Sequence, residues 1–319
     1  MLASAPATTP ATPASVNSLR RVVTAASEVI LGKEHQIRLA LACFLARGHL
    51  LIEDLPGVGK TTLAHVVARL LGLAFHRIQF TADMLPADII GVSIYDRGAS
   101  AFKFHPGPIF ANLILADEVN RATPKTQSAL LEAMEEHQVT AEGETRALPE
   151  PFFVIATQNP SHQVGTFPLP ESQLDRFQMR IALGYPDRDA ERSLLKGADR
   201  RDLIASLAPC LAAGEMVALQ AEAKKVFASD ALIDYVQALV EHTRRSSRYA
   251  TGLSPRAALA LLAAARAWAL LEGRNRVLPE DVQAVLPGIA GHRLYGSAAD
   301  TARNDADVAA ELIEAVPIP

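Results

Sequence analysis

The chain has 319 residues, 49% of them hydrophobic, which is enough material for two domains of ordinary size. Its 31 basic and 35 acidic side chains nearly cancel and gather into no basic stripe, so nucleic acid is not expected as a partner. Two distant cysteines, Cys43 and Cys210, offer neither a disulfide framework nor metal-ligand spacing, and the nine histidines contain no His-Glu-x-x-His pattern; the composition implies a reduced, cytoplasmic protein without a zinc site.

Residues 1–17, rich in Ala, Pro, Thr and Ser, read as a disordered leader rather than a signal peptide. Within 18–186, short apolar runs alternate with helical patterns, which predicts an α/β domain: a parallel sheet covered by helices on both faces. The strand segments are Leu50 to Ile52, Arg77 to Phe80, Leu113 to Ala116, Phe152 to Ala156 and Gln178 to Leu183. The first runs into a glycine-rich loop, after which Leu63, Val66, Val67 and Leu70 recur at helical spacing until Gly72. Two hairpins interrupt the pattern. One spans Val92 to Phe104 around Asp96-Arg97-Gly98, with Tyr95 and Phe102 read as packing residues; the other surrounds Gly143, between Gln138 and Leu148.

Residues 187–319 show helical patterns alone and predict a smaller helical domain. Leu232, Val236, Leu239 and Val240 form one apolar face. Ser254 and Pro255 open a helix that Gly273 closes, and Pro279 opens another. The apolar stretch from Leu259 to Leu271 is too short to cross a bilayer and reads as a buried helix, so an integral membrane protein is not expected.

The chemistry concentrates at the strand ends. Asp54-Leu-Pro-Gly57-Val58-Gly59-Lys60-Thr61-Thr62 has what a phosphate cradle requires: glycines where side chains would obstruct, and backbone N–H groups at a helix N-terminus. Lys60 is expected to reach the β- and γ-phosphates of ATP and Thr61 to ligate Mg²⁺, with Gly57, Val58, Gly59 and Thr62 completing the contacts. Asp54 stands where the general loop pattern has glycine. Leu113 to Ala116 ends in Asp117-Glu118, where Asp117 is expected to hold Mg²⁺ and Glu118 to polarise an attacking water. Glu135, Glu136 and His137 read as a solvated helix end. Ser161 and His162 lack a Gly-x-Ser-x-Gly elbow and support no nucleophilic catalysis.

Six segments then occur in one order: Glu53 to Thr61, Asp117-Glu-Val-Asn-Arg121-Ala, Pro124 to Met134, Ala156-Thr-Gln-Asn159-Pro, Leu174-Asp-Arg176-Phe and Gly252-Leu-Ser-Pro-Arg256-Ala. Carrying them, the chain from about residue 18 to 295 resembles an AAA+ ATPase of the MoxR family, in which Asp often occupies the position of Asp54. The resemblance implies an αβα P-loop domain with a helical lid, assembled into a ring, usually a hexamer, with ATP at each subunit boundary. It matches Asn159 to sensor 1, which orients the attacking water, and Arg256 to sensor 2, which couples lid position to nucleotide state. It matches Arg176 to an arginine finger that reaches the neighbour's γ-phosphate, with Arg121 and Arg180 as rivals. Lys60, Glu118, Asn159 and Arg176 are then the implied catalytic set. The two hairpins would face the axial side of the ring. A client protein would be remodelled or activated, commonly with a von Willebrand factor A domain protein as partner. A nucleotide-gated scaffold with little turnover and a DNA-acting motor are the alternatives. The presence of Glu118, Asn159 and Arg176 argues against the first. The sparse basic residues of the hairpins, Arg97, Lys103 and Arg146, argue against the second.

Overall fold

Five short segments become the strands of one all-parallel sheet, in the order Phe75–Gln79, Leu113–Asp117, Phe153–Gln158, Leu50–Glu53, Met179–Ile181. The structure is a computed structural model and describes residues 13–159, 165–197, 199–294 and 304–318. In chain order the first half comprises α1 (Pro13–Val29), α2 (Glu34–Leu45), β1 (Leu50–Glu53), α3 (Lys60–Leu70), β2 (Phe75–Gln79), α4 (Pro86–Ile90), β3 (Gly91–Asp96), β4 (Ala101–Pro106) and β5 (Leu113–Asp117). A short turn of 3-10 helix at Val119–Arg121 leads to α5 (Pro124–Glu136), β6 (Gln138–Ala141), β7 (Glu144–Ala147), β8 (Phe153–Gln158), α6 (Glu171–Leu174) and β9 (Met179–Ile181). The remainder is helical: α7 (Arg188–Lys196), α8 (Arg200–Ser206), α9 (Ala213–Lys225), α10 (Asp230–Arg245), α11 (Pro255–Leu271), α12 (Pro279–Ala290) and α13 (Asp305–Ala315).

Side chains alternate across a strand, so buried strands must satisfy two cores at once. Leu50 and Ile52, with Leu113, Leu115, Phe153, Ile155, Met179 and Ile181, face a core shared with α1, α2, α3 and the C-terminal helices. Leu51, Ile114, Ala116, Val154 and Ala156 face a second core with α4 and α5. The Leu50↔Ile155 and Leu113↔Phe153 registers bring the carboxyl ends of β1, β5 and β8 to one edge, where open α/β sheets place their ligands.

The first core continues without a break into the helical region. The Gln220 side-chain amide donates to the Phe44 carbonyl at 2.8 Å, tying α9 to α2. The change at Pro186 is therefore one of secondary structure type rather than a gap between two cores. At the other end, α1 begins at Pro13, so residues 13–17 of the expected disordered leader are helical; residues 1–12 lie outside the described residues. Proline suits the first turn of a helix, and Val16, Leu19, Val22, Val23 and Ala26 form a buried helical stripe that the Ala- and Pro-rich composition concealed.

Both hairpins form, β3 with β4 and β6 with β7, and they touch each other. The Arg146 guanidinium lies 3.8 Å from the centre of the Phe104 ring, and the Ser93 N–H donates to Glu142 Oε1 at 3.2 Å. Tyr95 and Phe102 do not pack into the core as expected. They pair edge to face at 5.3 Å and remain exposed, Phe102 at 74%. Helix α11 is capped by Ser254, whose hydroxyl accepts the Ala257 N–H at 3.1 Å, as its sequence implied. It is largely buried from Leu261 onward, but Leu259 stands 71% exposed, so the buried stretch is shorter than the apolar one.

A buried histidine links the two faces of this sheet to acid sensitivity. The His49 ring accepts the Val154 N–H at Nδ1 (3.0 Å), which leaves Nε2–H to donate to the Met134 carbonyl at 3.0 Å. This arrangement needs the neutral imidazole, and burial pushes its pKa down to about 4. The ring's contribution to stability is complete above its unfolded pKa of roughly 6.5. It is lost as pH falls from there to about 4, where the folded ring also takes up a proton. The loss over that window is on the order of 3 kcal/mol. His292, held well below its ordinary value by burial, has the same sign. Urea denaturation at pH 7 and pH 4.5 should register the loss, and His49→Gln should show a shallower acid dependence.

Candidate functional site

The loop between β1 and α3 requires glycine at two places. Gly57 has φ +82° and Gly59 φ +98°, in the left-handed region; a Cβ at either would meet no protein atom, so backbone conformation and not crowding sets the requirement. Gly59 caps α3, whose first N–H groups, at Lys60, Thr61 and Thr62, lack intrahelical acceptors and form an anion-binding end beside Gly57 and Val58. Asp54 has a structural part in the loop. Its Oδ2 accepts the N–H groups of Leu183 and Gly184, each at 2.6 Å, and its Oδ1 accepts that of Leu55 at 2.7 Å. The carboxylate thus moors the loop to the segment after the edge strand β9, something a glycine there could not do. Lys60 folds back across the loop, its Nζ donating to the Asp54 carbonyl (2.5 Å), Asn159 Oδ1 (3.0 Å) and the Gln158 carbonyl (3.4 Å). Burial lowers its pKa, opposed by the nearby carboxylates of Asp54, Asp117, Glu118 and Glu53.

At the tip of β5, the two acids share one buried hydroxyl. Thr157 Oγ1 donates to Asp117 Oδ1 at 2.5 Å and accepts the Glu118 N–H at 2.9 Å. The other Asp117 oxygen accepts Arg77 Nε at 3.1 Å and a terminal nitrogen of the same guanidinium at 2.6 Å. Glu118 sits at φ +56° and ψ +47°, a left-handed conformation that costs a non-glycine residue about 1–3 kcal/mol and tends to mark functional sites. Its carboxylate is held from three sides: by Asn159 Nδ2 at 3.3 Å, Gln79 Nε2 at 3.1 Å and Arg121 at 3.1 Å. Lys60, Asp117, Glu118 and Asn159 are thereby brought together as the sequence implied. Arg77, Gln79 and Thr157 belong to the same cluster and had not been singled out. Ser161 and His162 lie outside the described residues.

The donor set suits Mg²⁺. Among the described residues no group of three or more His, Cys, Asp or Glu could hold a metal. The Thr61 hydroxyl and the Asp117 carboxylate are instead hard oxygen donors, of the kind Mg²⁺ takes alongside phosphates and water.

Arg176 and Arg256 lie elsewhere. The His49 carbonyl, just before β1, accepts the Gln178 N–H at 2.9 Å, and the His49 ring meets Met134, so residues 134–135 and 176–178 are level with the amino end of that strand. The phosphate loop leaves its carboxyl end, roughly 13 Å further along. At the amino end Glu135 takes both arginines, Arg176 at 3.0 Å and Arg256 at 2.6 Å, while Arg176 also donates to the Leu131 carbonyl at 2.9 Å. One expectation changes. Glu135 is not simply a solvated helix end, because two cations from distant segments converge on it. Arg256 is not at the phosphate loop of its own chain, because α11 starts at the opposite edge of the sheet. Of the rival fingers, Arg121 is engaged with its own Glu118, and Arg180 is paired with Glu53 at 2.8 Å and with Asp305.

A glycine-rich loop after the inner strand β1, an Asp-Glu pair on β5 and a polar residue at the end of β8 define an AAA-type nucleotide hydrolase with a helical lid. Residues 49–179 match the family described as "ATPase family associated with various cellular activities (AAA)", and residues 241–312 match the AAA lid domain. The chain is 42% identical to Chaperone MoxR1 of Mycobacterium tuberculosis over 90% of its own length and 79% of that protein's. It is 46% identical to the YeaC protein of Bacillus subtilis over 86% of each. A solved structure from Cytophaga hutchinsonii superposes with a TM-score of 0.88 at 37% identity, covering 96% of both chains. The chain belongs to the MoxR family of AAA ATPases, and ATP hydrolysis is its activity.

Proposed function

We propose that this ATPase works as a ring, hexameric by family resemblance, in which Mg-ATP bound at the loop of one subunit is completed by Arg176 and Arg256 of the next. The observation that carries the reading is the separation of two half-sites: Lys60, Asp117, Glu118 and Asn159 at the carboxyl edge of the sheet, and an arginine pair at the amino edge. That separation favours arginines that serve a neighbour's nucleotide over their own. Thr61 and Asp117 would hold Mg²⁺. The base would take the β9 side of the loop, where a cavity of about 610 Å³ is lined by Glu53, Arg180, Ile181 and the facing ends of α2, α12 and α13.

Hydrolysis would remodel or activate a client protein in the cytoplasm, with a von Willebrand factor A domain protein as the partner the family suggests. The Mycobacterium tuberculosis relative is named a chaperone, and the exposed Val92, Ile94, Tyr95 and Phe102 of the first hairpin would give apolar contacts for a client. No helix among the described residues is long and apolar enough to cross a membrane. Turnover per subunit should rise with protein concentration as neighbours complete each site, and should vanish on chelation of Mg²⁺ and return when it is restored. Turnover per subunit that stays flat while the protein passes from monomer to ring would refute the shared site.

A further inference from the structure

The segment that carries Arg176 is fastened to the lid chiefly by one buried side chain. Arg293, just beyond α12, has only 5% of its side chain exposed. A guanidinium presents five N–H donors in one rigid plane, and here all five find acceptors. Its Nε donates to Asp175 Oδ1 at 2.6 Å. One terminal nitrogen donates to the carbonyls of Asp175 at 3.1 Å and Phe177 at 2.7 Å. The other donates to the carbonyls of Gln178 at 3.1 Å and Ile289 at 2.7 Å. Four of the five acceptors belong to residues 175–178 and flank Arg176 on both sides. The neighbouring His292 ring adds a contact to the Phe177 carbonyl at 3.1 Å, and Ser254, which caps the helix bearing Arg256, reaches Asp175 Oδ2 at 3.5 Å.

We propose that Arg293 is the positioning residue for Arg176: it clamps the backbone on either side of the finger to the lid, so that lid and finger move as one body and present Arg176 to the neighbouring nucleotide in a fixed place. The inference rests on the reading of Arg176 as a trans-acting finger. Its physical basis is that saturated buried donors leave the loop no alternative seating without stranding several polar groups, each costly to leave unpaired. Lysine cannot replace the clamp, because an ammonium offers three donors around one point and no planar fork.

The test uses the full chain with the substitutions Arg293→Lys, Arg176→Ala and both together. A displacement of about 1 Å at a reacting centre can reduce rate on the order of a hundredfold. Arg293→Lys is therefore expected to lower kcat by about ten- to a hundredfold. KM for ATP should move by less than about threefold, because the chain's own phosphate loop is untouched. Added to Arg176→Ala, it should reduce turnover no further, since a clamp that acts only through the finger has nothing left to position. Should Arg293→Lys fail to fold, as judged by circular dichroism and thermal melting, Asp175→Asn keeps the backbone acceptors, removes the charge opposite Nε and should give the same pattern more weakly. A folded Arg293→Lys with wild-type kcat, or a second large fall when it is added to Arg176→Ala, overturns the proposal. If Arg176→Ala itself turns over at the wild-type rate, the finger reading falls and this one with it; an inactive Arg176→Ala beside a fully active Arg293→Lys removes only the clamp.

Discussion

Glu118→Gln is expected to abolish measurable ATP turnover while leaving ATP binding intact. General-base assistance contributes about 10²–10⁴-fold, and the glutamine keeps the shape of the side chain but not the charge that draws a proton from water. The surroundings of Glu118 hold the side chain in place while that charge is removed. The backbone is fixed in its left-handed turn by the N–H bond to Thr157, and Asn159 and Gln79 donate to different carboxylate oxygens, so the single glutamine oxygen keeps one of these amide bonds and its NH2 faces the other, exposed partner. Arg121 alone loses an ionic partner, and as a half-exposed pair that costs little stability. The loop around Lys60 is not altered, so affinity for a fluorescent ATP analogue should stay within a few-fold of wild type while phosphate release disappears. Turnover within a few-fold of wild type would mean that another group activates the water. The same variant held in ATP would retain the loaded state, which makes it the bait with which to capture a client.

What could be read ahead of the structure was what phosphate chemistry forces to be contiguous. The loop from Asp54 to Thr61 and the pair Asp117-Glu118 are local, and the alternation of apolar runs with helices was enough for the parallel sheet. What could not be read depends on strand order and on partners far away in the chain. Arg77 and Gln79 reach Asp117 and Glu118 only because β2 lies beside β5, with Gln79 in register with Asp117. Thr157 connects both acids because β8 takes the other side of β5. The part played by Asp54 waits on Leu183 and Gly184, residues that nothing in the loop's own pattern indicates. An acidic helix end is usually solvated, which hides the part played by Glu135. Its two arginines come from the turn before β9 and from the start of α11, and Arg293, which holds that turn, carried no motif at all. Residues 13–17 show the opposite: their composition points to disorder, while Val16 begins the short buried stripe that seats α1.

Arg176→Ala is the second variant expected to remove nearly all activity, because fingers of this kind contribute about 10³–10⁵ in rate. The loss alone would not prove that the residue acts on a neighbour, since Arg176 also bonds to Glu135 and the Leu131 carbonyl within its own chain. Mixing decides the point. Lys60→Ala subunits lack a working loop but keep the arginine; Arg176→Ala subunits keep the loop and lack the arginine. Each preparation should show only residual turnover by itself. Mixed in equal amounts and allowed to exchange, about a quarter of the boundaries in a head-to-tail ring pair an intact loop with an intact finger, so activity should reappear. An arginine serving its own chain predicts no recovery in any mixture, because no single chain then carries both groups. The separation of loop and arginine to opposite edges of the sheet favours recovery, and it also sets its limit. Raising the proportion of either variant above one half must lower the yield, since each productive boundary needs one subunit of each kind.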